Sequence, residues 1–340
     1  MNKKVACLMS GGLDSSVAAA LLKRAGFNLV GVFLRLADLP NFKEGEKRAK
    51  KVAKILKIPF LFLDLKKEFK KRIINYFLEG YKRGVTPNPC VVCNKEIKFG
   101  LFLKRAFKLD ADYLATGHYV RLRQRKLLKA KDKEKDQSYF LWMLTQKELK
   151  RILFPIGNYT REEVRNLAKE LGLPSLLTTS KSVEICFIPK TIEGFLRDHL
   201  KTKIGQILDV KGKILAEHQG LPFYTIGQRK RIGLSGGPYW VLGKDFKKNI
   251  LIVSKNEKDL YKKELIIKNI NWISGKEPRL PLKAMIKIRY RHHLALAVIR
   301  KNLKPATYNL RFSRPQRAIT PGQSAVFYKG SELLGGGIIC

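Results

Sequence analysis

The first 120 residues alternate between short apolar runs and segments with helical spacing of apolar positions. The apolar runs span residues 5–9, 29–36, 59–65 and 113–116, and the helical segments between them span 17–22, 43–57 and 66–81. This alternation of strands and helices predicts a parallel sheet covered on both faces. Ligands bind such sheets at the carboxyl ends of the strands, where the turn at Gly11 and Gly12 and the pair Gly117 and His118 are expected to lie.

Two further helices are predicted from the same kind of pattern. Apolar residues recur at helical spacing over residues 91–109, which places Cys93 at or near the N-terminus of a helix. The positive end of the helix dipole is expected to acidify a thiol there. A second helix is predicted over residues 161–171, because Thr160 followed by Glu163 is a capping-box signal.

A different pattern begins near residue 200, where short β-rich runs punctuated by glycine replace the helices. They cover residues 204–210, 213–215, 239–242 and 249–253 and, after a break at 274–278, residues 284–290, 294–299, 308–312 and 325–328. We expect an α/β domain over residues 1–200, a central β-rich domain over 201–274 and a basic β-barrel over 275–340. The charged stretch 121–135 is predicted to be a solvated hairpin or loop inserted in the first domain.

The net charge of the chain indicates which class of partner it binds. The 340 residues include 69 Lys and Arg against 28 Asp and Glu, a formal net charge of +41. Residues 278–331 contain no acidic residue and twelve basic ones, which would repel one another in a free domain. RNA would relieve this repulsion by counterion release. A heat-adapted surface would raise glutamate together with lysine, and membrane binding would require a lipid signal or basic amphipathic anchor, so both alternatives are weaker.

The turn after the first strand is the clearest candidate for a nucleotide site. Residues 10–16 read Ser-Gly-Gly-Leu-Asp-Ser-Ser, directly between an apolar run and a helix. Two glycines allow close approach of a ligand, and the N–H groups of the first helical turn point at an anion. The Gly-Lys-Ser/Thr ending of a Walker loop and the dinucleotide-binding spacing are both missing. The string resembles the pyrophosphate loop of ATP-pyrophosphatases, which adenylate an oxygen of a second substrate and release pyrophosphate.

Five cysteines, an odd number, favour reduced thiols over a disulfide framework. Cys90 and Cys93 lie in a loop stiffened by two prolines, and Cys186 is a third candidate, whereas Cys7 and Cys340 are expected to be structural. Sulfur transfer or redox chemistry, a metal or cluster site, and inert buried thiols are all compatible with this pattern. The first apolar run, of about five residues, is too short for a signal peptide or membrane span, so we expect a cytoplasmic protein.

Several further motifs extend the resemblance along nearly the whole chain. They are residues 10–16, 86–99 (Thr-Pro-Asn-Pro, then Cys-Asn-Lys-Glu-Ile-Lys-Phe from 93), 115–119 (Ala-Thr-Gly-His-Tyr), 135–140 (Lys-Asp-Gln-Ser-Tyr-Phe), 185–187 (Ile-Cys-Phe), 224–230 (Tyr-Thr-Ile-Gly-Gln-Arg-Lys) and 320–323 (Thr-Pro-Gly-Gln). In this order they resemble the bacterial tRNA-specific 2-thiouridylases.

That resemblance implies a two-step reaction. ATP adenylates the C2 oxygen of the wobble uridine of tRNA; Cys186 then carries a persulfide sulfur, and Cys93 attacks it or assists its delivery to C2. The residues implied in ATP binding are Leu8, Met9, Ser10, Gly11, Gly12, Leu13, Asp14, Ser15, Leu34 and Gly117. Those implied at the target base are Asn88, Pro89 and Cys90, and those implied in tRNA binding are His118, Lys135, Asp136, Gln137, Arg289, Tyr290 and Gln323. Mg²⁺ is expected from ATP chemistry.

One departure from the family leaves the sulfur chemistry open. Many members carry Asp where this chain has Cys90, so a general base is lost and a third thiol is gained. Cys90, Cys93 and Cys186 together resemble the three-cysteine iron–sulfur sites of related tRNA thiolases, in which one iron binds external sulfide. A persulfide route and a cluster route are therefore the two alternatives. The sulfur donor is a cysteine desulfurase, a relay protein or free sulfide. Lys181 replaces a residue that is often acidic.

Two other functions are compatible with parts of the sequence. A catalytically silent RNA-binding protein could retain the glycine turn as a relic. A different adenylating enzyme, such as an amidotransferase or an argininosuccinate-type ligase, could use the same turn. The second alternative is weaker, because neither of those enzymes requires three clustered thiols or a basic C-terminal segment.

Overall fold

The computed structural model describes residues 3–173, 176 and 185–340, so Lys181 lies outside the described residues. Seven strands belong to the first half of the chain: β1 (Lys4–Leu8), β2 (Asn28–Arg35), β3 (Phe60–Asp64), β4 (Tyr113–Ala115), β5 (Arg121–Arg123), β6 (Lys126–Leu128) and β7 (Ile152–Leu153). Five of them form a sheet in the order β3-β2-β1-β4-β7, with every neighbouring pair parallel. The predicted parallel sheet is confirmed.

Both faces of this sheet are covered. Along β1, Ala6 faces one apolar cluster, whereas Val5 and Cys7 face the other, as the two-residue period of a strand requires. The helices are α1 (Leu13–Arg24), α2 (Pro40–Ile55), α3 (Lys66–Phe69), α4 (Asn75–Lys82), α5 (Pro89–Cys93), α6 (Leu103–Phe107), α7 (Gln146–Leu149), α8 (Arg161–Glu170) and α9 (Ile192–His199). Two π-helical segments, Lys70–Ile74 and Asn94–Phe102, join α3 to α4 and α5 to α6. None of the helices described here has the length and apolar character needed to cross a membrane.

A small mixed sheet follows. Its strands are β8 (Gly205–Asp209), β9 (Ile214–His218), β10 (Trp240–Asp245) and β11 (Ile250–Ser254), in the order β10-β11-β8-β9. The pair β8 and β11 is parallel and the other two pairs are antiparallel. Ile207, Val241 and Leu251 are fully buried and form its core.

The last part of the chain is a closed antiparallel barrel. Its six strands are β12 (Tyr261–Trp272), β13 (Leu282–Lys287), β14 (Ala295–Lys301), β15 (Thr307–Arg317), β16 (Ser324–Lys329) and β17 (Glu332–Ile339). They pair in the order β12-β15-β14-β13-β16-β17, and pairing of β12 with β17 closes the barrel. The predicted barrel is confirmed. Strand β12 lies within the segment 201–274 predicted as central, so the boundaries at 200 and 274 stay a prediction.

The stretch 121–135 differs from the sequence expectation. It is a hairpin, β5 and β6, but β6 pairs with β17 at Glu332 and extends the barrel sheet instead of standing in solvent. Leu127 is fully buried there. The physical reason is the edge of β17, since β12 pairs with residues 335–339 of that strand and leaves its beginning for another partner.

The barrel is joined to the first domain by aromatic side chains of residues 139–142. The Trp142 indole N–H donates to Ser324 Oγ (3.0 Å), and the Tyr139 hydroxyl donates to the Ser324 carbonyl (3.0 Å). The Asn271 amide donates to the Trp142 carbonyl at 2.6 Å. The ring of Trp142 lies so close to Gly336 that a Cβ there would meet it at 2.8 Å. The interface therefore requires a residue without a side chain in β17.

Replacing Gly336 by alanine is expected to destabilise the protein by about 1–3 kcal/mol, because the added methyl group overlaps Trp142. Gly243→Ala is the matched control, since a Cβ at this strand position would meet only Ile252 Cδ1, at 3.9 Å. Denaturant unfolding of both variants measures the free energies. Equal unfolding free energies for the two variants would contradict the tight Trp142 contact.

Candidate active site

The glycine turn is held rigidly against α2. Gly11 has φ +73°, and a Cβ there would lie 2.1 Å from the Gly45 carbonyl oxygen, so only glycine fits. The Ser15 hydroxyl accepts from Ser10 N–H at 3.1 Å and donates to the Gly12 carbonyl at 3.1 Å. Gly12 is the N-cap of α1 and has no capping side chain of its own. The first-turn N–H groups of α1 are thus positioned to bind a phosphate, as predicted from the sequence.

Three side chains that the sequence analysis did not identify surround this turn. The Tyr119 hydroxyl donates to Asp14 Oδ1 at 2.8 Å, and the Arg161 guanidinium forms an ion pair with the same carboxylate. Arg48 Nε donates to the Gly11 carbonyl at 3.0 Å. Burial and the neighbouring Asp14 raise the pKa of the Tyr119 phenol, so it stays a donor. The capping box predicted at Thr160 is confirmed, and it makes Arg161 the first residue of α8. That Arg161 pairs with Asp14 follows only from the packing of α8 on α1.

The residues predicted to hold ATP come together at the carboxyl end of the sheet. Leu8 ends β1, Leu34 is the penultimate residue of β2, and Gly117 follows β4 by two residues. A Cβ on Gly117 would lie 2.6 Å from the Ser15 backbone nitrogen, so this glycine packs directly on the turn. These positions meet at the carboxyl end of the parallel sheet, where ligands bind sheets of this kind.

His118, predicted to contact tRNA, is buried beside the turn. Its Nδ1 lies 2.7 Å from the Thr116 hydroxyl, and its ring packs against Phe99 and Phe154. Burial, with a smaller effect from the charge of Lys98, holds the pKa of His118 well below its usual value. The imidazole is therefore neutral at physiological pH, and its contact with RNA stays a prediction.

The loop before α5 is clamped by all three parts of the chain. The Thr86 N–H donates to the Pro321 carbonyl at 2.8 Å, and the Gln323 side-chain amide donates to the Thr86 carbonyl at 2.8 Å. The Thr86 hydroxyl lies 3.4 Å from that of Thr225 in the central domain. Gly322 has φ +90°, and a Cβ there would lie 2.9 Å from Thr86 N. The motifs at 224–230 and 320–323 thus meet at the loop that leads to Cys90 and Cys93.

The three cysteines of the predicted sulfur site lie close enough for their charges to interact. Cys93 is buried, Cys90 is half-buried, and Cys186 is an exposed residue whose thiol lies in crowded surroundings. Burial raises the pKa of Cys93 to about 11 and that of Cys186 to about 12, and it raises the pKa of Cys90 as well. The negative charges of Cys93 and Cys90 raise the pKa of Cys186 further, while Lys98 opposes all three shifts.

The expected acidification of Cys93 is wrong. Cys93 is the last residue of α5, and the helix continues through Asn94–Phe102, so the thiol lies a full turn beyond the N-cap, Asn88. Desolvation in the core therefore outweighs the effect of the helix dipole. Cys7, expected to be structural, is fully buried in β1, and burial raises its pKa to about 12.

The arrangement does not fit the three-cysteine cluster that the sequence suggests. Within residues 3–173, 176 and 185–340, no three His, Cys, Asp or Glu side chains are grouped as metal ligands. Cys90, Cys93 and Cys186 all belong to these described ranges.

The predicted tRNA contacts divide into two groups. The side-chain oxygen of Asn88 accepts from Val91 N–H, and Asn88 also hydrogen-bonds the Tyr139 side chain. The charge of Arg289 acts on the same Tyr139 phenol. The Tyr290 ring lies 4.4 Å from that of Phe140, next to the same tyrosine. These residues, with Gln323 and Pro89, line the junction of the barrel with the cysteine loop.

The second group is less accessible. Asp136 is buried and accepts from the Ala130 N–H (3.0 Å) and the Ser138 hydroxyl (2.9 Å). Gln137 Oε1 accepts from Tyr119 N–H at 2.9 Å, and only Lys135 is exposed. The side chains of Asp136 and Gln137 are therefore used inside the protein, and their contact with tRNA stays a prediction.

The positive charge of the barrel is less isolated than its sequence indicates. Within the described ranges, these ion pairs join the twelve basic residues to acidic residues outside 278–331: Lys301 with Glu277 (3.2 Å), Arg311 with Glu264 (3.3 Å) and Arg317 with Glu257 (2.7 Å). The expectation of no compensation is wrong for these three, because β12 and the residues on either side of it bring acids alongside. Such exposed pairs leave most of the positive field in place.

Three family models match the chain. They describe a tRNA methyl transferase HUP domain over residues 3–190, a tRNA methyl transferase PRC-barrel domain over 193–255 and an aminomethyltransferase beta-barrel domain over 262–339. Together the matched ranges coincide with the parallel sheet, the mixed sheet and the closed barrel.

Curated relatives match over the full length. The chain is 45% identical over 360 residues to tRNA-specific 2-thiouridylase MnmA 2 of Thermoanaerobacter sp. strain X514, covering 100% of this chain and 98% of that protein. It is 46% identical over 360 residues to MnmA 1 of Caldanaerobacter subterraneus, with the same coverages. It is 43% identical over 343 residues to MnmA of Syntrophomonas wolfei, covering 99% of each chain.

Solved structures are more distant. The U34-tRNA thiolase NcsA from Methanococcus maripaludis, solved with its 4Fe-4S cluster, has a TM-score of 0.38 and 22% identity, covering 58% of this chain and 63% of that chain. NMN synthetase from Francisella tularensis has a TM-score of 0.35 and 17% identity, covering 57% and 71%.

Alkylation of Cys93 by iodoacetamide in the free protein is expected to accelerate about tenfold per pH unit from pH 7 to pH 9. Its raised pKa leaves the thiolate fraction rising throughout this range. Peptide mass spectrometry of the Cys93 fragment measures the rate, with Cys93→Ser as the blank. A rate that levels off below pH 8 would show that the thiol is acidic after all.

Proposed function

Since this chain belongs to the tRNA-specific 2-thiouridylase family, we propose that it uses ATP to replace the C2 oxygen of the wobble uridine of tRNA by sulfur. The enzyme is a sulfurtransferase. The methyl transferase activity in the descriptions of two family models is not carried over, because the curated relatives that match over the full length are thiouridylases.

One observation supports a single centre for both steps. Gly117 packs on Ser15 of the phosphate turn, and the next residue, His118, lies within the electrostatic reach of Lys98. Lys98 also acts on Cys90, Cys93 and Cys186. These links support a single site for the nucleotide turn and the thiols, which adenylation followed by sulfur transfer requires.

In the first step, the C2 oxygen of the uridine attacks the α-phosphorus of ATP and pyrophosphate leaves. We assign ATP binding to the turn from Leu8 to Ser15, to Leu34 and to Gly117, with Arg161 and Arg48 as additional cations beside the phosphates. In free protein Arg161 is neutralised by Asp14, which is also a suitable ligand for the Mg²⁺ that accompanies ATP. Binding of ATP would thus separate this ion pair.

In the second step, the terminal sulfur of a Cys186 persulfide attacks C2 and AMP leaves with the oxygen. The Cys93 thiolate then attacks the Cys186 sulfur, which releases 2-thiouridine and leaves a disulfide between Cys93 and Cys186 for a thiol reductant to open. The mutual electrostatic effect of these two thiols supports their pairing. A cysteine desulfurase or a sulfur relay protein would supply the persulfide at the exposed Cys186.

The RNA would lie across the junction between the barrel and the cysteine loop. Asn88, Pro89 and Cys90 are assigned to the target base, and Arg289 and Tyr290 to the neighbouring nucleotides, where an aromatic ring and a cation suit an unstacked base and its phosphate. Gln323 contributes by holding Thr86.

Cys93→Ala and Asp14→Ala are expected to abolish 2-thiouridine formation while tRNA affinity changes less than about threefold, since neither side chain belongs to the basic barrel surface. Mass analysis of anticodon nucleosides after incubation with ATP, Mg²⁺ and a persulfide donor measures the first quantity, and filter binding the second. Wild-type protein that binds tRNA without forming 2-thiouridine would favour the second candidate, a silent RNA-binding protein. Thiolation that survives both changes would contradict the roles assigned to Cys93 and Asp14.

The persulfide route predicts full activity of an iron-free enzyme. Protein purified anaerobically and stripped of iron should form 2-thiouridine at the rate of the untreated sample when a persulfide donor is present. Iron and acid-labile sulfide assays verify the composition of both samples. Activity that falls with iron content and returns on reconstitution would instead support a cluster at Cys90, Cys93 and Cys186.

A further inference from the structure

Lys98 has no assigned role, yet it lies on the π-helical segment Asn94–Phe102, which directly follows Cys93. It is half-buried, and its charge acts on four groups: the thiols of Cys90, Cys93 and Cys186 and the imidazole of His118. Three of these belong to the sulfur site, and the fourth follows Gly117 on the nucleotide side. Lys98 is therefore a cation within electrostatic range of both the thiols and His118.

The π-helical winding of Asn94–Phe102 explains how Lys98 reaches this place. In an α-helix, two residues five positions apart are rotated by about 140° from each other, so Lys98 would turn away from Cys93. A π-helix pairs each residue with the fifth one along the chain and brings both to the same face. Gly100 permits this winding, because a Cβ there would lie 2.6 Å from the Lys95 carbonyl oxygen.

The neighbours of Lys98 on the same segment are already paired. Lys95 forms an ion pair with Glu148 at 2.9 Å, and Glu96 pairs with Arg72 at 2.8 Å. Across the part of the chain that the structure describes, no carboxylate pairs with Lys98. The groups around it, three thiols and a histidine, are neutral in the free protein. A half-buried cation in such surroundings stabilises an anion that enters the site.

The reaction supplies such an anion at this point. On the basis of the proposed function, the phosphoryl group on the C2 oxygen must lie between the phosphate turn and the sulfur, and the sulfur itself carries negative charge as it is transferred. We propose that Lys98 is the anion-binding catalytic residue of this site and that its ammonium group contacts this reacting anion. The anion has two sources, the phosphate of the adenylated uridine and the terminal sulfur of the persulfide.

The experiment compares Lys98→Met and Lys98→Arg with Lys95→Met, a control on the same helical segment. We expect Lys98→Met to lower single-turnover formation of 2-thiouridine about 100-fold, the usual effect of removing one charge-stabilising donor. Lys98→Arg should restore part of the rate, and Lys95→Met should stay within about threefold of wild type. Thermal unfolding and tRNA binding show that each variant is folded, and Lys98→Gln replaces Lys98→Met if that protein is unstable.

Pyrophosphate release without a sulfur donor distinguishes the two sources. If the phosphate is the anion, Lys98→Met slows pyrophosphate release and thiolation alike. If the sulfur is the anion, pyrophosphate release is unchanged and only thiolation falls. Thiolation by folded Lys98→Met or Lys98→Gln within about threefold of wild type would overturn the proposal. Failure of wild-type protein to form 2-thiouridine would instead refute the proposed function.

Discussion

The placement of the sulfur site depends on the clamp at Thr86. A loop that contains Pro87 and Pro89 lacks two backbone donors, so its conformation has to be imposed by neighbours. The barrel does this through Pro321 and Gln323, which bind the two backbone polar groups of Thr86 at 2.8 Å each. This clamp joins the barrel to the loop that leads into α5, so docking of the barrel helps to position the thiols.

Through these contacts the barrel, the proposed RNA-binding domain, also helps to position residues of the proposed reaction site. The same barrel interface contains Trp142 and Tyr139, whose polar atoms both bind Ser324. Tyr139 in turn contacts Asn88 and the ring of Tyr290, so the interface runs directly into the proposed site of the target base. A nucleotide bound there would touch residues from the first domain and from the barrel at once.

Electrostatics divides the site into two unlike halves. The nucleotide half is already charged and paired in free protein, through Asp14 with Arg161. In the sulfur half, desolvation keeps the thiols protonated and His118 uncharged, and Lys98 adds a positive charge. A protonated thiol is a weak nucleophile.

Much of the fold follows from local pattern. The alternation of strands and helices, the capping box at Thr160 and the β-rich runs after residue 200 all reflect interactions within a few residues, and the structure confirms them. Three expectations are corrected: the hairpin at 121–135 forms but joins the barrel sheet, Cys93 is not acidic, and the barrel charges at Lys301, Arg311 and Arg317 are compensated. Each depends on a partner distant in sequence, namely β17, the core around α5 and the acids of and beside β12.

The same distinction applies to the candidate site. Ser10 to Ser16, the spacing of Cys90 and Cys93 and the basic C-terminal segment are contiguous, so the sequence by itself determined that a nucleotide turn, paired thiols and a polyanion surface exist. Only the tertiary structure decided that Arg161 meets Asp14, that Gln323 holds Thr86 and that the charge of Lys98 acts on the thiols. These contacts are set by helix packing, barrel docking and π-helical winding, which no short stretch of sequence encodes alone.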